Sequence, residues 1–250
     1  MLPRFLVPSL APGDQIVTLP PDEGKHLARV LRLHAGDPVR IFDGRGHEFV
    51  ARVEKAGKTL VTVRLIEPVE PAPESPLDLT VAQSVLTGDK MDEIVRDLTM
   101  LGATAVQPIV SARAEVSLAT LHRSRRVERW RRIAGASAKQ CGRAVVPQVG
   151  DPLELQDWLQ RDTSSLRLIL VEPAGDVPAG GPGVPGAGKD RPQTSVSLLV
   201  GPEGGWTAEE ATIAQRAGFM PWRLGGRTLR AETAPIVAVS VLQYLWGDLA

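Results

Sequence analysis

The sequence predicts an α/β protein in two parts, a small β-rich domain followed by a larger domain built on a mostly parallel sheet. Three observations favour this fold class. Up to residue 66, short apolar runs alternate with glycine turns, as in β-rich domains. From residue 77, strand-like runs alternate with segments of helical periodicity, the pattern of repeated β-α-β units. Between them, EPVEPAPESP (67–76) carries four prolines and three glutamates without periodicity, which is typical of a stiff linker. We therefore place the domains at residues 1–70 and 74–250.

The composition excludes several classes of protein. A single cysteine, Cys141, rules out an internal disulfide framework, and the four scattered histidines lack metal-ligand spacing, so we expect no metal. No apolar run is long enough to cross a bilayer. The segment MLPRFLVPSLAPGD (1–14) has prolines in place of a continuous apolar core, unlike a signal peptide. These observations predict a cytoplasmic protein without membrane association.

In the first domain we predict three strands and one helix. The helix lies in PDEGKHLARVLRLHAGD (21–37), where Leu27, Val30 and Leu31 fall at helical spacing, Asp22 is the expected N-cap and Gly36 the expected end. The strands lie in VRIFDG (39–44), HEFVARVEKAG (47–57) and KTLVTVRLIE (58–67).

In the second domain, strands and helices alternate. Strands are predicted in LDLTVAQSVL (77–86), ATAVQPIVS (103–111), LRLILVEP (166–173), TSVSLLVGPEGG (194–205) and PWRLGG (221–226). Helices are predicted in DKMDEIVRDLTMLG (89–102), RRVERWRRIAGASAKQ (125–140), TAEEATIAQRAG (207–218) and TAPIVAVSVLQYLW (233–246). The segment 174–193 is so rich in glycine and proline that we expect a surface loop.

The charge distribution favours a polyanion-binding face. The chain has 29 basic and 29 acidic residues, so its net charge argues neither way. However, residues 111–150 hold nine basic and two acidic residues, whereas residues 67–98 hold two basic and eight acidic ones. Such asymmetry is typical of nucleic-acid binding, although arginines on a helix are also common on a merely solvated face.

The motif GPEGG (201–205) follows a buried-looking strand. At this edge of a parallel sheet α/β proteins bind ligands, and glycines let main-chain groups approach a ligand closely. At this loop neither the phosphate-loop pattern nor the dinucleotide pattern is present, which argues against a triphosphate or NAD as its ligand. The alternative is a tight turn in which Thr207 caps the next helix and Glu210 completes a capping box.

A second polar stretch, LGGRTLRAETA (224–234), lies between the last predicted strand and an apolar helix. Arg227, Arg230, Glu232 and Thr233 need partners or a ligand in such a place. An Arg230–Glu232 ion pair that only fixes the turn is the alternative.

GPEGG and LRAETA, together with GDKMDEIVRDLTMLGATAVQPI (88–109) and RWRRIAGASAKQCGRAVVPQV (129–149), resemble the ribosomal RNA small-subunit methyltransferase E family of the SPOUT superfamily. LPRF and HLARVLRLHAGDPVRIFDGRG (26–46) resemble that family's PUA-like RNA-binding domain. The resemblance implies an N-terminal PUA-like β-barrel, a trefoil-knotted catalytic domain with helices on both faces of the sheet, and a homodimer. It also implies S-adenosylmethionine as cofactor and methylation of uridine N3 in 16S ribosomal RNA or the small ribosomal subunit.

Carried onto this sequence, the resemblance assigns the cofactor to three loops at strand ends. The expected cofactor-binding residues are Leu170, Val171, Glu172, Val200, Gly201, Pro202, Glu203, Gly204, Gly205, Leu224, Gly225, Arg227, Leu229, Arg230, Thr233 and Ala234. No Cys or His is needed, because the sulfonium already carries the leaving group. Arg230 is the candidate for stabilising charge on the uracil and Glu232 for accepting or orienting the N3 proton. The expected RNA contacts are Arg4, His26, Arg29, Arg32, Arg113, Arg125 and Arg126.

The chain departs from the family pattern at a few positions. Asp97 and Met100 stand where a lysine and a glutamate are usual, Lys139 precedes QCGR, and the segment from Ala174 is longer than usual. These positions lie away from the expected cofactor loops. Two alternatives therefore stay open: an RNA-binding protein of the same fold that has lost its chemistry, and a hydrolytic or nucleotide enzyme, although neither a nucleophile elbow nor a phosphate loop is present.

Overall fold

The protein is described by a computed structural model that covers residues 2–57, 60–173, 183–185 and 195–249. The surface loop predicted over 174–193 lies, apart from 183–185, outside these residues. The chain forms two compact units, Met1–Glu74 with Gly135–Val146, and Ser75–Ala134 with Pro147–Ala250. The predicted domain bounds assign 135–146 to the second domain, whereas in the structure this segment packs with the first unit.

The first unit contains a five-stranded sheet in the order β1-β3-β4-β5-β2. Its strands are β1 (Arg4–Leu6), β2 (Ile16–Thr18), β3 (Pro38–Phe42), β4 (Glu48–Ala56) and β5 (Val61–Val69). The β1–β3 pair is parallel and the other pairs are antiparallel. The three predicted strands are confirmed, while β1 and β2 are too short to give a periodic signal. The predicted linker begins later than expected, because β5 continues to Val69 and Pro68 pairs with Phe49.

The helix of this unit is shorter than predicted. Helix α1 (Pro21–Lys25) is capped by Pro20 rather than Asp22, and it passes directly into a π-helical turn, His26–Val30. This i to i+5 turn is wider than an α-helical turn and changes the angular spacing of its residues, and here Leu27 is fully buried whereas Val30 and Leu31 are exposed. The predictions of one apolar face and of an end at Gly36 were therefore wrong.

The second unit is built on a seven-stranded sheet, all of whose strand pairs are parallel. The strand order is β12-β10-β11-β6-β7-β8, with β9 also paired to β7. The strands are β6 (Asp78–Ser84), β7 (Ala105–Val110), β8 (Gln148–Val149), β9 (Leu153–Glu154), β10 (Leu166–Leu170), β11 (Ser195–Val200) and β12 (Met220–Trp222). The mostly parallel α/β sheet predicted from the alternating pattern is confirmed.

Helices cover this sheet. They are α2 (Lys90–Met100), α3 (Leu118–Arg123), α4 (Arg126–Cys141), α5 (Leu155–Arg161), α6 (Ala208–Arg216) and α7 (Thr233–Trp246). One face packs Ile169 and Leu199 against Leu159 of α5 and Ala214 of α6. On the opposite face Leu198 is also fully buried, and α7 contacts both β11 and α2. Sheets buried on both faces need such apolar strands. The short helices α3 and α5 were not predicted.

The end of α7 is fixed by a buried glutamine. Gln243 accepts a hydrogen bond from the hydroxyl of Ser75 (2.6 Å) and donates one to the carbonyl of Leu101 (2.8 Å). A side chain at Gly102 would meet the Gln243 amide at 2.7 Å, so this close approach needs glycine. Among the described helices, none is long and apolar enough to span a membrane.

Candidate functional site

A cavity of about 550 Å³ opens in the second unit, at the carboxyl ends of its central parallel strands. This volume suits a small organic ligand, and strand ends of this kind are where open α/β sheets bind ligands. Three loops form most of its wall: the residues after β10, the GPEGG loop after β11, and the stretch after β12. We call Leu229–Ala234 of this last stretch the LRAETA loop. The residues just before it, from Leu224 to Thr228, also contribute to the wall.

The GPEGG loop is shaped by close contacts of its glycines. A Cβ at Gly201 would come within 3.1 Å of the Trp206 ring, and a Cβ at Gly204 within 3.2 Å of Arg113. Gly205 has φ +66°, and its Cβ would lie 2.8 Å from a carboxylate oxygen of Glu172. Trp206 itself is held by a hydrogen bond from its indole nitrogen to the carbonyl of Leu170 (3.0 Å). These three neighbours can therefore approach the loop so closely only because the positions lack side chains.

Glu203, within the same loop, is tied to the start of α2. Its carboxylate accepts hydrogen bonds from Lys90 Nζ (2.7 Å), Thr87 Oγ1 (3.0 Å) and the Thr87 amide (3.2 Å). Burial opposes the charge of Glu203, but the bonds from Lys90 and Thr87 outweigh it and hold the pKa of Glu203 below its ordinary value. The Glu203 carboxylate in turn raises the pKa of Lys90. Both groups are charged at neutral pH, so the tie is an ion pair.

The loop after β7 is also hydrogen-bonded to the GPEGG loop. Arg113 Nη1 donates to the carbonyls of Gly204 (2.7 Å) and Trp206 (3.3 Å). Next to it, buried Glu210 accepts a hydrogen bond from the Ala112 amide (2.7 Å) and, through its other oxygen, from the Thr207 amide (2.9 Å). The capping box of Thr207 and Glu210 that we predicted for α6 is confirmed. Glu210 thus fixes both the helix start and the Arg113 segment.

The LRAETA loop is held much more loosely. The amides of Thr233 and Ala234 both donate to the carbonyl of Arg230 (2.9 and 3.0 Å), which starts α7. The Arg230 guanidinium lies 3.9 Å from Glu232, and its side chain is 86% exposed while that of Glu232 is 20% exposed. An exposed pair at this distance contributes little to stability. The Arg230–Glu232 ion pair therefore does not account for the turn, and the guanidinium is available to a ligand.

The cavity collects most of the residues that the sequence assigned to a cofactor. All of them line it except Gly225 and Thr233, and Arg230 and Glu232 line it as well. Further lining residues, which the sequence did not reveal as cavity residues, are Lys90, Arg113, Pro173, Trp206, Ala208, Thr228 and Ala231. Trp206 follows GPEGG directly, so proximity to the motif was a usable signal. Lys90 lies at the start of α2 and Arg113 lies after β7, and only the strand order brings them to the loop.

Arg4, predicted to contact RNA, has a structural role instead. Its side chain is buried, and its guanidinium binds both carboxylate oxygens of Glu48 (3.0 Å each). The same group donates to the carbonyls of Ala138 (3.2 Å), Lys139 (3.0 Å) and Arg143 (3.0 Å). With its donors used in this way, the group joins β1 and β4 to the 135–146 segment of the first unit, and the prediction of an RNA contact was wrong.

The other predicted RNA contacts lie at or near the surface. In the first unit, Arg29 and Arg32 are exposed, and His26 is half-buried with its ring edge against Phe5. In the second unit, Arg125 is exposed and Arg126 half-buried at the start of α4. Other arginines of α4 are already engaged, Arg129 with Asp89 and Asp92, and Arg131 with Asp151. The basic stretch is therefore less free than its charge count indicates.

The wall of the cavity carries both carboxylates and guanidiniums, so it suits a positively charged ligand that is bound beside an anionic partner. Glu172, Glu203 and Glu232 line it, and Glu172 forms no hydrogen bond or ion pair with the described residues. Arg113, Arg227 and Arg230 are all exposed where they line it. An exposed carboxylate next to a glycine cradle can face a cation, while exposed guanidiniums bind phosphate or developing oxyanions.

Comparison with known proteins relates both units to RNA methyltransferases. A family model described as an RNA methyltransferase domain matches residues 73–243, and one described as an RNA methyltransferase PUA domain matches residues 19–66. The chain is 34% identical over 238 residues to the ribosomal RNA small subunit methyltransferase E of Synechocystis, covering 93% of this chain and 74% of the relative.

Two solved structures match the whole chain. A methyltransferase of Legionella pneumophila in complex with the cofactor SAM is 32% identical with a TM-score of 0.86, and the match covers 100% of both chains. The ribosomal RNA small subunit methyltransferase E of Neisseria gonorrhoeae, bound to S-adenosyl methionine, is 33% identical with a TM-score of 0.85, again with 100% coverage of both. The similarity is therefore to complete proteins and not to a single shared domain.

Proposed function

The chain belongs to the ribosomal RNA small subunit methyltransferase E family, and from this premise we propose that it methylates small-subunit ribosomal RNA with S-adenosylmethionine as the methyl donor. The observation that carries the proposal is the cavity at the sheet edge, whose wall is made by GPEGG and LRAETA together. We further propose that the target is N3 of a uridine and that the enzyme acts in the cytoplasm.

The cavity fits this cofactor by its chemistry. The glycines at 201, 204 and 205 line the cavity with main chain and no side chain. Trp206 and Leu170 supply apolar surface, as an adenine ring requires. Glu172, without a partner among the described residues, is placed to face positive charge or ribose hydroxyls. Bound S-adenosylmethionine supplies an electrophilic methyl group, so the protein needs neither a nucleophile nor a metal for that part of the reaction.

The remaining chemistry falls to the LRAETA loop. Uridine N3–H is a weak acid, and its removal develops negative charge on the flanking carbonyl oxygens. Arg230, exposed at the cavity, can donate hydrogen bonds to such an oxygen. Glu232 lines the same wall with its carboxylate mostly buried, and it can accept or orient the proton. Arg113 and Arg227 add positive charge for the RNA backbone.

The last helix supports a second proposal, that two copies of the chain associate. Val237, Tyr244 and Leu245 of α7 fall at helical spacing on one face and are exposed, as is Met100 on the neighbouring helix α2. Tyr244 is 64% exposed. A contiguous apolar face of this kind marks an interaction site, and in closed homodimers the same patch packs on its copy. The trefoil knot stays a prediction of the family resemblance.

The structure gives no support to the two alternatives left open by the sequence. A protein without chemistry has no need to keep both cofactor loops, and Asp97 and Met100 do not line the cavity. Asp97 pairs with its neighbour Arg96, while Met100 is exposed beside α7. A hydrolase would need an activated nucleophile, and the described wall of the cavity contains no serine, cysteine or histidine.

Two measurements test the proposed function. Calorimetric titration should show binding of S-adenosylmethionine to the full chain, with Gly205→Ala weaker and Gly226→Ala unchanged. Incubation of small subunits with labelled cofactor should transfer label to the RNA. Because N3 lies on the pairing edge of uracil, methylation there blocks base pairing, and reverse transcription should stop at one uridine. Cofactor binding without transfer to RNA would exclude methylation of this substrate.

A further inference from the structure

Four consecutive exposed residues follow the buried Leu27 in the first unit. We call Arg29–Arg32 the RVLR tip. Val30 is 67% exposed and Leu31 39% exposed, although their side chains are among the most apolar of the chain. Arg29 and Arg32, on either side, are exposed as well. The tip thus presents two adjacent aliphatic side chains between two guanidiniums.

The backbone of the RVLR tip is held in one shape. The amide of Leu31 donates to the carbonyl of His26 (3.0 Å), and the amide of Leu33 donates to the carbonyl of Leu27 (3.1 Å). Leu27 and Leu33 both pack in the core of the unit. The tip is therefore anchored at both ends, and its exposed side chains are presented by an ordered turn.

Arg32 occupies a conformation that favours glycine. Its φ is +54°, and no other non-glycine residue of the described chain has a positive φ. Helices commonly end in this left-handed conformation with glycine or asparagine, because a Cβ there is strained. Strained backbone of this kind is concentrated at functional sites.

The two guanidiniums of the tip have no partner among the described residues. The neighbouring acids are engaged elsewhere, since Asp22 pairs with Lys25 and the Asp37 carboxylate accepts the amide of His34. Positive charge without a partner on both sides of an apolar pair fits single-stranded RNA. Unstacked bases offer apolar faces, and the flanking phosphates offer anions. In complexes with duplex DNA, aliphatic side chains insert between base steps, which shows that they can pack on base faces.

We propose that the RVLR tip is an RNA contact in which Val30 and Leu31 pack on unpaired bases while Arg29 and Arg32 bind the flanking phosphates. The proposal rests on the proposed function, because the RNA is the substrate of that reaction. It adds a base-contacting apolar element to a surface that the sequence marked only by its charges, and it commits to RNA rather than to a ribosomal protein as the partner.

The salt dependence of affinity separates the two contributions. Binding of the full chain to protein-free small-subunit ribosomal RNA is measured over a range of salt concentrations. Val30→Ser with Leu31→Ser should weaken binding about tenfold at every salt concentration without changing the slope, because no counterion is involved. Arg29→Gln with Arg32→Gln should reduce the slope of log K against log salt by about 1.4, from roughly 0.7 for each phosphate contact on a single strand. Ile66→Ser, an exposed apolar residue on β5 of the same unit, is the matched control and should bind as the wild type.

A second variant distinguishes function from folding. Arg32→Gly keeps the left-handed backbone and removes the side chain, so thermal stability should hold or rise while RNA affinity falls. Wild-type affinity in the serine double variant would overturn the proposal, and so would a loss seen with assembled subunits but not with protein-free RNA, which would indicate a protein contact. Cofactor binding and methyl transfer by the wild type are measured in parallel. Absence of transfer would overturn the proposed function and leave the RNA-binding result to decide on the tip.

Discussion

The two loops that meet at the cavity are built in opposite ways. The GPEGG loop is tied from three directions, by Lys90 and Thr87 at Glu203, by Arg113 at Gly204, and by Gln83 at Gly201. Among the described residues, the LRAETA loop makes only the hydrogen bonds that start α7 and one long ion pair. The difference indicates that the two loops have different roles in binding. A loop fixed before binding can hold a cofactor at little entropic cost, whereas loosely held polar side chains can engage a substrate that arrives later.

The largest expected effect belongs to Arg230→Ala in the loosely held loop. If its guanidinium stabilises charge that develops on the uracil, the methyl-transfer rate should fall by about two to three orders of magnitude, the scale of losing one electrostatic donor. Cofactor affinity should change little. Single-turnover transfer on small subunits and calorimetric cofactor binding, on one preparation, check both. A parallel fall of affinity and thermal stability would mean that Arg230 holds the loop, and the contrast between the loops would disappear.

Glu232→Gln tests the other polar group of the same loop. If the carboxylate accepts the N3 proton, the rate should fall about a hundredfold, the lower end of the range for a general base. The deficit should be greatest below neutral pH, where solvent base is scarcest. The pH profile of single-turnover transfer is the measurement. Full activity of the amide variant at low pH would leave the proton to substrate or solvent.

Gly205→Ala should act on the fixed loop and on the cofactor. Gly205 has φ +66° and a carboxylate oxygen 2.8 Å from its Cβ position. Alanine there costs about 1–2 kcal/mol of backbone strain, so cofactor affinity should fall roughly tenfold or more. Gly226→Ala, in the open stretch before the LRAETA loop, is the matched control, because nothing lies within 4 Å of its Cβ position. Equal effects of the two substitutions would contradict the proposed difference in rigidity.

The smallest effect is expected from Glu203→Gln, which removes the ion pair with Lys90. Both side chains are about one-third exposed, so solvent screening keeps the loss small, and we expect roughly a twofold change in cofactor affinity. Because the pKa of Glu203 is lowered in the folded protein, its stabilisation is present above the ordinary value of 4.5 and is lost as the pH falls through the lower folded value. The difference in thermal stability between wild type and variant should therefore shrink below pH 4.5. A difference that stays constant into acid would assign the effect to something other than the charge.

Local patterns sufficed for most of the fold. Alternation of strand and helix predicted the parallel sheet, and the glycines of GPEGG marked a loop that lines the cavity. What escaped prediction depends on residues distant in sequence. Lys90 lies 113 positions before Glu203, and Arg113 lies 91 positions before Gly204, so only the strand order brings each pair together.

In the first unit, the wrong predictions concerned which side chains are buried. Arg4 looked like a surface cation, because no local pattern shows that Glu48 and three carbonyls surround it. The π-helical turn at His26–Val30 cannot be read from apolar spacing, since the spacing of Leu27, Val30 and Leu31 fits an ordinary helix equally well. In this turn Leu27 is buried, whereas Val30 and Leu31 are exposed.

The strand order also determines when the strands of the sheet can pair during synthesis of the chain. Strand β6 pairs with β7, which follows it closely in the chain, and on its other side with β11, which begins at Ser195. At 5–20 residues per second, the 113 positions from Lys90 to Glu203 take about 6–23 s to translate. During that interval β11 is missing, so one edge of β6 presents backbone N–H and C=O groups without their partner strand. Long-range pairing of this kind is slow to form and prone to aggregation, so the newly made chain must be kept from aggregating before its cofactor cavity can exist.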